Sequence, residues 1–301
     1  MISSAVIFSA LELGSIYALV ALALFLSFRV LNIADMTTDG SFTLGCAVSA
    51  TVAVAGHPLL ALPAAMIAGA CAGSVTALLQ TKFKIPSILA GIITNTGLYT
   101  VNLAVMGFSS NVNMLRSTTL FTLVQPSLGS FYKLVPAAVI TLAVGILLVL
   151  FLRTRLGLSI RATGDNPDMV RASSINPIFT TTVGLCVANA FTGLSGCLLS
   201  QSQKSVNTDI GSGMVTIALA SLLIGRTMMG KGGIFTRSVG MVLGAFVFRL
   251  VYTVALRMNM PAYMLKLVSS TIVVVAIFLP YMKRQMPLMR RRMAGAGKGG
   301  N

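Results

Sequence analysis

Apolar runs of roughly 17 to 25 residues, the length at which a helix crosses a bilayer, recur along this chain between short polar stretches. Nine membrane segments are expected, at residues 2–28, 40–55, 59–80, 86–107, 134–152, 178–200, 212–225, 238–257 and 262–280. The second and seventh are short for a full span. The polar, Gly-rich SVNTDIGSG leading into the seventh predicts a broken or re-entrant element, because non-helical backbone at membrane depth is tolerated only where protein buries it or it lines a cavity. Segments of about ten alternating residues, the mark of an outer-membrane barrel, are missing, so the spans are read as helices. The expected fold class is all-α, a polytopic transmembrane helix bundle.

Composition supports this pattern. Of the 301 residues 55% are hydrophobic and 9% charged, with mean hydropathy +0.89, whereas soluble domains carry about 25% charged residues. A formal charge of +16 raises the prospect of a nucleic-acid partner, since basic stripes neutralise phosphates. The positions of the charges argue otherwise. With the N-terminus outside and the C-terminus in the cytoplasm, sixteen of the 22 Lys and Arg fall on the cytoplasmic side and four on the other, with Arg249 and Lys266 inside spans. That is the positive-inside bias of a multi-pass protein of the inner or plasma membrane, and it accounts for the basic charge with no nucleic acid. Residues 1–282 are expected to form one transmembrane domain. Residues 283–301 form a basic tail, partly disordered, of the kind that attracts anionic membrane lipids.

Chemistry-bearing residues are few. Cys46, Cys71, Cys186 and Cys197 lie in apolar segments without CxxC or His spacing and read as buried thiols acting as small hydrophobes. His57, the sole histidine, sits in a GHP turn, so no metal site is expected. GRTMMGKGG (Gly225 to Gly233) misses the phosphate-loop pattern, because Gly232 stands where a Ser or Thr hydroxyl is needed and no strand precedes it. No catalytic constellation is expected, and the chain is not read as an enzyme.

Polar residues inside the spans are the candidates for a solute pathway. Glu12 and Arg249 lie about ten and eleven residues into the first and eighth spans, near the midplane at about 1.5 Å per residue. Ionisable groups at that depth face a cavity or one another, so a structural pair and contact with a zwitterionic solute both stay open. Asn95 and Thr96 form a polar interruption in the fourth span, read either as a helix break at a binding site or as polar glue between helices. Asn189 in the sixth span is a weaker candidate of the same kind. Asp35 and Asp39, in VLNIADMTTDGSFTLG, read as turn and cap residues whose carboxylates are exposed or pair with nearby arginines. The connection 108–132 is the longest on the non-cytoplasmic side and reads either as a solvated connector or as a docking surface.

The polar island RATGDNPDMVRASSINP, residues 161–177, encodes a short helix of its own within the loop 153–177. Asn166 is a natural N-cap and Pro167 a first helical residue. Asp168 suits the positive end of the helix dipole and Arg171 the negative end. Asn176 and Pro177 close it, leaving Met169, Val170 and Ala172 free for a partner.

With its flanks, this island resembles the coupling loop of ABC transporter permeases of the branched-chain amino acid and ribose importer type, and within them the tryptophan and tyrosine type branch. The likeness extends to LNIADMTTDGSFTLG, GSGMVTIALASLLIG, Arg249 and MNMPAYMLKLVSS. It implies a permease subunit of an ATP-driven importer, coupled through Asp165, Asn166, Pro167, Asp168, Met169, Val170 and Arg171 to separate ABC ATPase subunits that bind the ATP and Mg. It further implies a second permease copy, identical or not, and an extracytoplasmic substrate-binding protein. The expected solute is an amino acid, with an aromatic or apolar side chain as first candidate. An ion-gradient-driven secondary transporter is the alternative, opposed by the scarcity of intramembrane acids; a membrane scaffold is a third reading.

Overall fold

A computed structural model describes residues 4–230, 232–257, 267, 270–275 and 278. Helix α1 (Ser4–Leu24) continues into a π-helical turn, Phe25–Val30, and is followed by α2 (Thr38–Val54), α3 (Ala61–Thr81) and α4 (Ser87–Val105). A short strand β1 (Asn111–Asn113) and α5 (Leu120–Leu128) precede α6 (Leu134–Phe151). Then come α7 (Arg155–Asp165), α8 (Pro167–Ala172) and the long α9 (Pro177–Gln203). Strand β2 (Ser205–Asn207), α10 (Met214–Met229) and α11 (Ile234–Arg257) complete the described elements.

Six of these helices are long and apolar enough to cross a membrane: Ile7–Val30, Ala61–Thr81, Ser87–Val105, Leu134–Phe151, Pro177–Gln203 and Ile234–Leu256. The expected seventh segment is the sixteen-residue α10, entered through turns and a left-handed Gly213. The expected second segment is the seventeen-residue α2. The expected ninth segment, 262–280, and the basic tail fall largely outside the described residues.

Burial sorts the helices into a centre and a periphery. Protein covers 78% of the most apolar stretch of α1 and 72% of that of α9, against 28% for α4, α6 and α11. Outward side chains such as Ile67, Ile92, Leu142 and Leu147 are exposed. Apolar groups standing outward on apolar helices are in their low-energy setting when lipid surrounds them, since backbone polar groups are already satisfied within the helix.

Small residues allow the close approach at the centre. A Cβ on Gly73 of α3 would strike the Leu185 carbonyl of α9, and one on Gly69 the Asn189 carbonyl. Gly45 of α2 meets the Gly193 backbone, and Gly225 of α10 meets Gly240 of α11. In lipid, helix association depends on such van der Waals contact, because burial from water has already been gained on insertion.

The connection 108–132 is built rather than merely solvated. β1 pairs antiparallel with β2, with Val112 opposite Val206. Thr119 caps α5 in a reciprocal box with Thr122, and the Leu120 amide donates to Gln201 Oε1 at 2.7 Å. Phe121 and Met114 are thereby buried in the core. The all-α expectation therefore holds apart from these two three-residue strands.

Candidate functional site

The loop predicted to carry its own helix does so. Thr154 caps α7 through the Gly157 amide. Asn166 ends α7 and starts α8, its Oδ1 accepting from the amides of Asp168 and Met169, each at 3.1 Å. Pro167 occupies the first turn, Asp168 the acidic position and Arg171 the last turn. Asn176 and Pro177 open α9 rather than merely closing α8, since Asn176 Oδ1 accepts from the Ile178 amide at 2.9 Å.

This pair of helices is clamped to the bundle from beneath. The Thr163 and Thr180 hydroxyls share a 2.7 Å hydrogen bond between α7 and α9, and Gly164 lies against the Val30 carbonyl. Val170 is 3% exposed, whereas Met169 is 68% exposed. Val170 is therefore an anchor and not the free contact the sequence suggested: in a six-residue helix the apolar residue facing the bundle must hold it there. Asp165, Asp168, Arg171 and Ala172 stay exposed beside Met169.

The candidate residues inside the bundle do not converge on one point. Ser202 Oγ donates to Glu12 Oε1 at 2.5 Å, and Lys133 Nζ donates to the Ser202 carbonyl at 3.1 Å. Ser202 lies in the last turn of α9, so Glu12 sits toward that end of the bundle and not at mid-depth. Arg249 lies elsewhere, its guanidinium 5.0 Å from the Tyr17 ring centre and 4.7 Å from that of Tyr252. Its Nε is buried without a hydrogen-bond partner. No ion pair joins Glu12 to Arg249 among the described residues. The two lie apart because Arg249 packs against Tyr17, more than a helical turn further along α1 than Glu12.

Asn95 and Thr96 do not break their helix. α4 is continuous from Ser87 to Val105, and the Thr96 hydroxyl returns to the Ile92 carbonyl at 2.9 Å. Thr96 is exposed, while half-buried Asn95 lies over Gly40, where an added Cβ would be 2.6 Å from Asn95 Oδ1. Asn189 is fully engaged. It donates to Asp35 Oδ2 at 2.8 Å and to the Leu185 carbonyl at 3.0 Å, and accepts from Ser41 Oγ at 2.7 Å.

Sequence reasoning misjudged the two acids of the first connection. Asp35 is buried and takes hydrogen bonds from the Thr37 amide at 2.9 Å and from Asn189. Burial pushes its carboxyl above the usual 3.8, against the lowering pull of those hydrogen bonds. Asp39 reaches across to α10, accepting from the amides of Gly213 at 3.1 Å and Val215 at 2.9 Å. A carboxylate there satisfies the free amides of a helix start and complements its dipole. Both acids are thus consumed by backbone and amide donors, not by arginines. The cysteines divide: Cys46 and Cys197 are buried, but Cys186 is half-buried and Cys71 stands exposed on the outer side of α3.

Comparison with known proteins adds the family. Residues 6–277 match the model described as branched-chain amino acid transport system / permease component. The chain is 30% identical over 269 residues to the tyrosine transport system permease protein of Clostridioides difficile, covering 89% of each. It is 25% identical over 290 residues to the ribose import permease protein RbsC of Escherichia coli K12, covering 92% of this chain and 86% of that one. Its fold is similar to that of PsaBC from Streptococcus pneumoniae in complex with Fab, with TM-score 0.51 at 16% identity over 93% of this chain and 94% of that one. The chain belongs to the permease component family of branched-chain amino acid transport systems and is a multi-pass membrane protein.

Proposed function

We propose, with membership of this family as the premise, that the chain is the membrane subunit of an ATP-driven importer for a small solute. ATP and Mg bind to separate ATPase subunits, and α8 seats in a groove of one of them through Asp165, Asn166, Pro167, Asp168, Met169, Val170 and Arg171. Within that stretch Val170 ties α8 to the bundle while Met169 meets the partner. Closure of the ATPase pair pulls α7 and α8, and with them α9, to which the Thr163–Thr180 bond ties them. The bundle then switches between two packings that open a central path to alternate sides. Nucleotide supplies the bias through its higher affinity for the closed state.

The observation that carries this reading is the exposed, separately capped α8 held between α7 and the long apolar α9. A six-residue helix gains little stability by itself, so its rigid presentation at the surface is what a docking element requires. The solute is proposed to be an amino acid, in keeping with the 30% identity to a tyrosine permease. The assembly would contain a second permease copy and an extracytoplasmic binding protein. The proposed topology has nine segments, counted from the apolar runs, with an external N-terminus and a cytoplasmic C-terminus supported by the charge distribution. On this reading Arg249 is the pathway residue best suited to meet a carboxylate, because it has a cation to offer and no acid beside it.

The test is purification from native membranes in mild detergent, with mass spectrometry of co-purifying proteins and an ATPase assay. The expected result is recovery of a phosphate-loop ATPase that crosslinks to a cysteine introduced at Met169. Recovery of this chain alone, with vesicle uptake that follows an ion gradient, would replace this reading with a secondary transporter.

A further inference from the structure

A cleft of roughly 300 Å³ opens where the π-helical end of α1 meets the end of α10 and the start of α11. Arg29, Arg226 and Arg237 line it together with the apolar Phe25, Leu222 and Met241. The π turn, wider than an α turn, brings Phe25 and Arg29 to the same wall. Arg226 comes from the last turn of α10 and Arg237 from the first turn of α11.

Three like charges around one small cleft repel one another, and among the described residues nothing neutralises them. It has six acidic residues, and none lines the cleft. Glu12 is engaged by Ser202, Asp35 by Asn189 and Asp39 by the start of α10. Asp165 and Asp168 belong to the α7–α8 surface, and Asp209 to the turns before α10. Among the described residues Arg29, Arg226 and Arg237 make no side-chain hydrogen bond or ion pair. All three are exposed, so an anion from outside the chain can reach their free donors.

Depth and wall chemistry identify its class. Arg29 ends the apolar span Ile7–Val30 and Arg237 lies at the start of Ile234–Leu256, so the cleft sits at a membrane-span boundary, the level of lipid headgroups. Guanidinium groups pair tetrahedral oxyanions through two parallel donors. Phe25, Leu222 and Met241 are buried apolar walls, suited to carbon and not to a hydrated free ion. Basic pockets between spans select anionic headgroups by this combination. We propose that the cleft is a binding site for one anionic phospholipid, its phosphate held by Arg29, Arg226 and Arg237 and its glycerol carbons against Phe25, Leu222 and Met241. The acyl chains lie along the outside of the bundle.

The experiment compares the full chain in nanodiscs of phosphatidylcholine with and without phosphatidylglycerol. After extraction, native mass spectrometry is expected to find one phosphatidylglycerol retained per chain. The triple change R29Q, R226Q and R237Q should lower retention at least tenfold, while Arg116→Gln, remote from the cleft, should leave it unchanged. Equal retention in the triple variant, or equal retention of phosphatidylcholine, overturns the proposal. Since the triple variant could fail to fold, phenylglyoxal labelling of the unmodified chain gives a second reading. Phosphatidylglycerol should slow modification of these three arginines several-fold, and unchanged labelling overturns the site. Protection by inorganic phosphate but not by phosphatidylglycerol would assign the cleft to a soluble anion and overturn the lipid assignment.

Discussion

The side-chain amide of Asn189 on α9 donates to the buried carboxylate of Asp35 at 2.8 Å, across 154 positions of the chain. With Ser41 bonded to the same asparagine, this link fixes the longest central helix to the connection that launches α2. Asn189→Ala removes one donor to Asp35 and one acceptor for Ser41. Leaving such groups buried and unsatisfied costs about 1–3 kcal/mol. The variant is expected to unfold earlier on heating in detergent. Unchanged stability with lost uptake would instead assign Asn189 to the solute path.

Asp39→Ala is expected to loosen the start of α10 without disturbing α2, at a cost of about 0.5–2 kcal/mol, the usual value of a lost helix cap. Hydrogen exchange reads this directly. The amides of Gly213 and Val215, which now donate to Asp39, should exchange faster, while those of α9 should not.

Asn166→Ala should fray α8 while the bundle stays intact, since the two amides it caps lie at the surface. Asp168→Lys and Arg171→Glu place charges against the helix dipole. All three are expected to insert normally and to lower solute-stimulated ATP hydrolysis in the assembled complex. Wild-type coupling in all three would remove α8 from the docking role.

Glu12→Gln and Arg249→Gln are expected to be additive within about 0.5 kcal/mol, as for sites that do not touch. Their partners differ, Ser202 for one and two tyrosine rings for the other. A double variant more stable than the sum would require a contact between them. Arg249→Gln alone should fold with the loss of about 0.5–2 kcal/mol of cation–π contact and should lower uptake at least tenfold.

Asp35 predicts a pH dependence of stability. Its carboxyl lies in the non-helical connection 31–37, and burial holds it above 3.8. The native state then keeps a proton that the unfolded chain has released, so this contribution is full below 3.8 and declines as pH rises toward the raised value. Above that value it is flat. Asp35→Asn should abolish this slope in unfolding midpoints measured across the acid range.

Much of the bundle is legible in the sequence. Apolar runs located the long helices, because a helix in lipid must be apolar along its whole exposed length. The α8 cap was equally plain, since Asn166, Pro167, Asp168 and Arg171 interact within a single turn or two. Of the two readings of Asn95 and Thr96, the helix break is the one that α4 does not show: a polar pair in a helix reads the same whether the backbone bends or the Thr hydroxyl bonds the previous turn.

The sequence alone determined what depends on neighbours along the chain: helical spans, their caps, and a surface helix between them. Tertiary structure alone decided which polar side chains meet. Asp35 and Asn189, Asp39 and the start of α10, Arg249 and its two tyrosines, and the three arginines of the cleft are brought together by helix packing. Their distances depend on how glycines let α2, α3 and α9, and likewise α10 and α11, close to backbone contact, and no local pattern encodes the partner of a buried charge.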